Sequence, residues 1–331
     1  MDTQLLKDIA KSLVVEKKGI FAADASIKTL TKRFGEMGLA LTPELNLLYR
    51  QIIFSTPEIE EYLSGIILFE DTAKQNIKDG KAIPSLLSEK GILPGIKVDG
   101  GLEEVGEETL TKGLEGLPDR LKGYKDLGLK FTKWRAAFKI TDLCPSDQNL
   151  DENLTRMAEY AFIAQENGFV PIVEPEVLLE GNHTTTRCEE ITSKTLGVLF
   201  EKLNTKGVSL KGLILKVNMV LPGKDSGVKA APLEVANATL RTLNNSVPAE
   251  VTGVVFLSGG QTPEEATKNL NELERLGKDA PWPLSFSFER GLEADAMNVW
   301  QGKEENANLV QETFLKRLKA VSLARQGLYN G

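Results

Sequence analysis

The chain has 331 residues, 41% hydrophobic and 26% charged, enough for one large α/β domain with a sizeable core. Its 40 basic and 47 acidic residues leave a net charge of −7, which argues against general affinity for nucleic acid or an anionic membrane, and no apolar run is long enough to span a bilayer. Two cysteines, Cys144 and Cys188, stand far apart outside any CxxC pattern, so neither a disulfide framework nor a thiolate zinc site is indicated, and the single histidine, His183, excludes any centre needing several imidazoles.

The first stretch, MDTQLLKDIAKSLVVEKKG, mixes charges with apolar residues as an amphipathic helix does and lacks the apolar core of a secretory signal, which points to a cytoplasmic protein. From Gly19 onward, apolar runs bounded by turn signals alternate with helical stretches. The strand candidates are GIFAADA from Gly19, LSGIILF from Leu63, PGIKVDG from Pro94, FTKWRAAFKI from Phe131, FVPIVEPEVL from Phe169, KGLILKVNMV from Lys211, GVVFLSGG from Gly253 and PLSFSFER from Pro283. Between most of them run helices: SIKTLTKRFGEMG, the run around PELNLLYRQI, NLDENLTRMAEYAFIAQENG, TTTRCEEITSKTLGVLFEKLNTKG, PLEVANATLRTLNNS and TPEEATKNLNELERLG, with a closing helix over roughly Glu304 to Gln326. Asp151, and Thr262 with Pro263, read as helix starts; Gly168 and Gly277 read as stops. His183, in GNHTTTRC, is expected in a solvent-facing loop.

Eight strands alternating with helices predict a single (β/α)8 TIM barrel over residues 1–331, with an N-terminal and a C-terminal helix. The competing doubly wound sheet would require a Gly-rich phosphate loop after the first strand, and neither GxGxxG nor GxxxxGK[ST] occurs.

In such a barrel the chemistry lies at the C-terminal ends of the strands, where side chains two apart share a face. Polar pairs recur at that spacing: Lys97 with Asp99, Lys133 with Arg135, Glu174 with Glu176 and Lys216 with Asn218, while Asp24 ends the first strand alone. A lysine in the middle of KGLILKVNMV is costly, because desolvation disfavours its ammonium and leaves an amine able to attack a carbonyl. The ordinary alternative is a stem on apolar surface with its head in water. An interstrand salt bridge accounts equally well for any one pair, but four such pairs strain a purely structural explanation. Lys133 as a second cation would favour the free amine of Lys216, and Glu174 or Glu176 would move protons.

Two anion sites are also legible. The LSGG run from Leu257 to Gly260 ends the seventh strand with glycines whose N–H groups suit a phosphate, and Arg290 adds a bidentate donor at the end of the eighth. Ser26, Thr29, Arg33 and Lys97 form a second cluster by the first helix, for which a solvated helix face is an equal alternative.

Taken together, GIFAADAS followed by KRF, GIKVDGG, FTKWRAAFKI, VPIVEPEVL, LILKVNMVLPG, GVVFLSGGQ and LSFSFER resemble, in order and over nearly the whole chain, the motifs of the class I fructose-1,6-bisphosphate aldolases. The resemblance implies that Lys216 forms a Schiff base with a ketose, that Glu174 is the main general acid/base, and that Lys133 positions and polarises the intermediate. It further implies that Asp24 assists at the hydroxyl where the carbon–carbon bond breaks and that Glu176 supports the proton chemistry. One phosphate would meet Ser258, Gly259, Gly260 and Arg290; the other would meet Ser26, Thr29, Arg33, Lys97 and Arg135. The substrate would be a phosphorylated sugar, with no cofactor or metal, and the assembly a tetramer.

Departures from the family accompany the matches. Ala25 and Gly100 replace a glutamate and a lysine at the sugar-side mouth, Val217 a proline, and Glu289 a glycine whose backbone helps bind phosphate; the sequence ends at LYNG, short of the family's tyrosine-bearing tail. Two other readings are a Schiff-base enzyme of the same barrel acting on another sugar phosphate, such as a transaldolase, and a scaffold that has lost catalysis.

Overall fold

The structure, a computed structural model, describes residues 2–331. Eight parallel strands close into a barrel: β1 (Gly19–Ala23), β2 (Leu63–Leu68), β3 (Leu93–Lys97), then, after a hairpin of β4 (Leu102–Val105) and β5 (Glu108–Thr111), β6 (Phe131–Phe138), β7 (Val170–Val177), β8 (Ile214–Val217), β9 (Gly253–Phe256) and β10 (Leu284–Phe288). The barrel closes where β1 pairs with β10, Ile20 opposite Ser287 and Phe21 opposite Phe288. Each of the eight runs read from the sequence supplies one barrel strand, shortened at its C-terminal end or at both, with β3 starting one residue before its run, at Leu93. KGLILKVNMV keeps only Ile214–Val217, because Leu210–Gly212 forms a 3-10 turn and the Val220 N–H donates to Thr239 Oγ1 (2.9 Å) instead of to a neighbouring strand.

Period-2 alternation sorts the barrel interior by height. Ile20 and Ala22 precede Asp24, Phe131 precedes Lys133, Val170 and Ile172 precede Glu174, and Ile214 precedes Lys216. The apolar members form one buried cluster in the lower barrel, and the charged residues sit above it. Helix α1 (Thr3–Leu13), capped by the Asp2 carboxylate accepting from the Gln4 and Leu5 N–H groups, lays Leu6, Ala10 and Leu13 into the same cluster and plugs the N-terminal mouth. Glycine allows this close approach: a Cβ at Gly253 would lie 2.7 Å from Val14 Cγ1, and one at Gly212 would lie 2.8 Å from Leu6 Cβ. The closed lower end leaves the C-terminal end as the side from which a ligand reaches the barrel axis.

The outer layer is built from α2 (Ile27–Glu36), α3 (Pro43–Phe54), α4 (Glu70–Ala73), α5 (Ile83–Glu89), α6 (Leu117–Asp126), α7 (Asp147–Glu166), α8 (Thr185–Lys206), α9 (Pro232–Ser246), α10 (Pro263–Leu276), α11 (Arg290–Trp300) and α12 (Ala307–Ala324). The expected closing helix is α12, preceded by a 3-10 turn at Glu304–Asn306. Thr262 caps α10 as expected, with its hydroxyl accepting from the Glu265 N–H and the Glu265 carboxylate accepting from Thr262. Asp151 caps nothing: α7 begins four residues earlier, where Ser146 Oγ accepts from the Asn149 N–H (3.1 Å).

Several elements have no counterpart in the sequence reading. Helices α4 and α5 are too short to show a period, and every residue of β4 is exposed, which leaves no apolar alternation to find. The hairpin is anchored from α7, where Asn153 accepts from the Thr111 N–H (3.0 Å) and donates to the Thr109 carbonyl (2.8 Å). Helix α11 has no separate signal in the sequence either, since Arg290 reads as the end of the PLSFSFER run. Pairing stops at Phe288, Glu289 turns the chain (φ −106°, ψ −87°), and Arg290 opens the helix.

Candidate active site

At the C-terminal ends of the strands lies a cavity of about 860 Å3. Its floor holds four buried charges from four strands or strand ends: Asp24 after β1, Lys133 on β6, Glu174 on β7 and Lys216 on β8. Lys133 Nζ lies 2.5 Å from Asp24 Oδ2 and 3.1 Å from Glu174 Oε2, while Lys216 Nζ lies 3.0 Å from Glu174 Oε1. Glu174 therefore bridges the two lysines, and the second cation expected near Lys216 reaches it with a carboxylate between the two.

Buried charges of this kind persist only when they offset one another, and two lysines against two carboxylates do so. Burial alone would raise the Glu174 carboxyl, but Lys133, Lys216 and Arg135 outweigh it and hold the group below its ordinary value. Asp24 behaves the same way: burial is overcome by Lys133, Lys216 and Lys97, and its carboxyl is also lowered. The Lys133 ammonium is in turn raised, with Asp24 and Glu174 overcoming desolvation. Glu174 Oε2 faces the Lys133 ammonium at 3.1 Å and takes no hydrogen bond from any other group among the described residues.

Above this floor, Arg135 and Glu176 form an ion pair across β6 and β7, whose register sets Arg135 opposite Glu174 and Ala137 opposite Glu176. Lys97 Nζ meets Asp99 Oδ1 at 2.5 Å, and Asp99 also accepts from the Gly101 and Arg135 N–H groups. On one wall, Ser258 and Gly259 follow β9, with Gly259 and Gly260 both in left-handed conformation (φ +26° and +76°), and Arg290 stands exposed at the start of α11. On another, the Ser26 hydroxyl caps α2 by accepting from the Thr29 N–H (3.3 Å), and Arg33 reaches Glu289 and Glu293. Every site residue expected from sequence lines the cavity except Gly260, which packs instead against Leu179, where a Cβ would come within 2.9 Å of its Cδ2.

Two expectations are corrected. Asn218 does not share the cavity face with Lys216: β8 ends at Val217, and the Asn218 side chain accepts from the Val177 N–H (3.0 Å) and donates to the Met219 carbonyl (3.2 Å). His183 is buried instead of facing solvent. The loop after β7 is sealed by the loop after β8, whose Gly223 N–H donates to the His183 carbonyl (2.8 Å) and whose Asp225 N–H donates to the Gly181 carbonyl (2.8 Å). Both cysteines are buried free thiols.

The sequence reading missed a chain of charges beside Arg33. Glu293, almost wholly buried on α11, receives Arg33 on one oxygen (3.1 Å) and Arg50 on the other (3.1 Å), with Tyr49 Oη 3.4 Å away. Arg50 sits in the run LLYRQI, and nothing in that run marks its arginine as buried. Ser287, at the end of β10, also lines the cavity with a buried hydroxyl that makes no hydrogen bond.

The family model for class-I fructose-bisphosphate aldolase matches residues 5–331. Among curated proteins, the cytosolic fructose-bisphosphate aldolase 4 of Arabidopsis thaliana is 46% identical over 317 residues, covering 95% of this chain and 81% of that protein. Fructose-bisphosphate aldolase C of Mus musculus is 44% identical over 330 residues, with coverages of 98% and 91%. Among solved structures, a fructose-bisphosphate aldolase from Plasmodium falciparum, determined in a ternary complex with TRAP and a small-molecule inhibitor, superposes with a TM-score of 0.97 at 43% identity, covering 99% of this chain and 96% of that one.

Proposed function

The chain belongs to the class I fructose-bisphosphate aldolase family, the metal-independent lyases that reversibly cleave fructose 1,6-bisphosphate to dihydroxyacetone phosphate and glyceraldehyde 3-phosphate, and from that premise we propose that Lys216 is its Schiff-base nucleophile. The observation that carries the proposal is the buried amine of Lys216, at the base of the cavity with a carboxylate oxygen 3.0 Å away. Attack on the ketose carbonyl requires that the ammonium first lose a proton, and Glu174 is close enough to take it. The same carboxyl then returns a proton to the carbinolamine hydroxyl, which leaves as water and yields the iminium.

The iminium draws in the electron pair of the bond between the carbons α and β to it, which becomes the enamine double bond, as the hydroxyl on the β carbon gives up its proton and becomes the aldehyde carbonyl of the first product. Asp24, held ionised by Lys133, is the base for that proton, and Lys133 stabilises the oxygen as the bond breaks. Proton return to the resulting enamine and hydrolysis of the iminium release the second product and restore the amine. Glu176, paired with Arg135 above the floor, orients Arg135 toward the sugar chain and supports the proton transfers.

Ser258, the Gly259 backbone and Arg290 bind one phosphate in this proposal, with Gly260 shaping the turn behind them, while Ser26, Thr29, Arg33, Lys97 and Arg135 receive the other end. Residues 1–331 act as one catalytic unit, since the proposed groups come from strands all around one barrel. A cytosolic location is supported by the name of the Arabidopsis relative, and no described helix is long and apolar enough to cross a membrane. A tetramer and service in gluconeogenesis as well as glycolysis follow from family resemblance.

Borohydride added with dihydroxyacetone phosphate should reduce the iminium and leave a stable adduct on Lys216, located by peptide mass mapping. Lys216→Met should lose both adduct and cleavage while keeping the wild-type circular dichroism. An adduct on another lysine, or cleavage surviving the substitution, refutes the assignment.

A further inference from the structure

Arg33 is already paired on both of its terminal nitrogens. Its Nη2 lies 2.7 Å from Glu289 Oε1 and its Nη1 lies 3.1 Å from Glu293 Oε1. Glu293 is fixed from behind by Arg50, and both are about 1% exposed, whereas the Glu289 side chain is 30% exposed and lines the cavity. The row Glu289, Arg33, Glu293, Arg50 holds two carboxylates and two guanidiniums, so it offers no surplus positive charge. Lys97, the other cation of this cluster, is likewise paired with Asp99. Arg290, at the opposite phosphate position, makes no ion pair among the described residues and is exposed.

We propose that Glu289 is a specificity-determining residue, whose carboxylate occupies the Arg33 edge that a second phosphate would take and so biases the cavity toward sugars phosphorylated at one end only. This rests on the preceding assignment of Arg33 to the second phosphate. A carboxylate and a phosphate sharing one guanidinium are like charges in a partly desolvated site, and the pair binds less well than either alone. Glu289 is also the displaceable partner. Burial, reinforced by Glu293 and Asp24, pushes its carboxyl above the ordinary value even though Arg33 opposes the rise. Arg33 reaches it from α2, Glu293 from the next turn of α11 and Asp24 from the end of β1. Among these only Arg33 favours the ionised form.

The test measures binding without turnover, by calorimetry with a hexitol 1,6-bisphosphate and a hexitol 1-phosphate, which lack a carbonyl and cannot form an iminium. In Glu289→Gln, the ratio of the monophosphate Kd to the bisphosphate Kd should rise about tenfold over wild type, the size expected for removing one like charge. Glu289→Asp retains the charge and should stay within about twofold of the wild-type ratio. An unmoved ratio in Glu289→Gln, equal gains for both ligands, or no binding of either ligand overturns the inference. Borohydride trapping with dihydroxyacetone phosphate on the same preparations separates the two assignments. An adduct with an unmoved ratio refutes the role of Glu289 alone, and a raised ratio with no adduct refutes the Schiff-base assignment while the role of Glu289 stands.

Discussion

Replacing Lys133 with methionine tests whether the barrel floor is a balanced charge cluster. The side chain is 5% exposed and makes contacts of 2.5 Å with Asp24 and 3.1 Å with Glu174, so its removal leaves two buried carboxylates facing Lys216 alone. With an effective dielectric of about 20, unit charges about 3 Å apart attract by roughly 5 kcal/mol, and breaking a buried pair of this kind costs about 3–5 kcal/mol net. The pH dependence gives the sharper signature. In the wild type, Asp24 and Glu174 titrate below their ordinary values, so their contribution to stability is complete above the unfolded-state pKa and is lost as pH falls through the folded one. Without Lys133, burial is opposed by fewer cations, one carboxyl rises, and the folded state takes up a proton that the unfolded state releases. The stability gap between variant and wild type should therefore be largest near pH 8 and narrow toward pH 5, measured by urea unfolding across that range. A gap that is constant with pH, or below about 1 kcal/mol, would show that the cluster does not share charge in this way.

Glu274, buried against Arg325 at 2.7 Å, is pushed up to about 8 because desolvation outweighs the arginine. A raised carboxyl binds its proton more tightly in the folded state, so Glu274 should cost the wild type a few kcal/mol of stability as pH rises from about 4.5 to about 8, and Glu274→Gln should show a correspondingly shallower loss over that window in thermal melts. Gly253→Ala would set a methyl 2.7 Å from Val14 Cγ1 where α1 closes the lower barrel. The variant should lose about 1–3 kcal/mol in denaturant titration, with kcat per folded molecule unchanged, since the strain lies at the end away from the cavity.

Much of this architecture is legible in the chain itself. GIFAADA, FTKWRAAFKI and VPIVEPEV each run from apolar to charged at alternate positions, and period 2 alone puts Asp24, Lys133 and Glu174 on one face above an apolar floor. The unread elements carried weaker signals: a hairpin strand exposed at every residue, helices of one or two turns, and a helix that starts the moment a strand ends. Asn218 shows the limit of spacing arguments, because alternation holds only while the backbone stays in the sheet, and β8 ends one residue before it.

The sequence determined which residue types stand at the strand ends and in what order, because alternation and turn chemistry are local properties. Only the tertiary structure decided which of those charges meet. Strand register set Glu174 between Lys133 and Lys216, and barrel closure between β1 and β10 brought Arg33 to Glu289 and Glu293, the latter 260 residues away along the chain. Pairings at such separations depend on how the sheet closes and on the height at which each strand ends, and no local pattern encodes either.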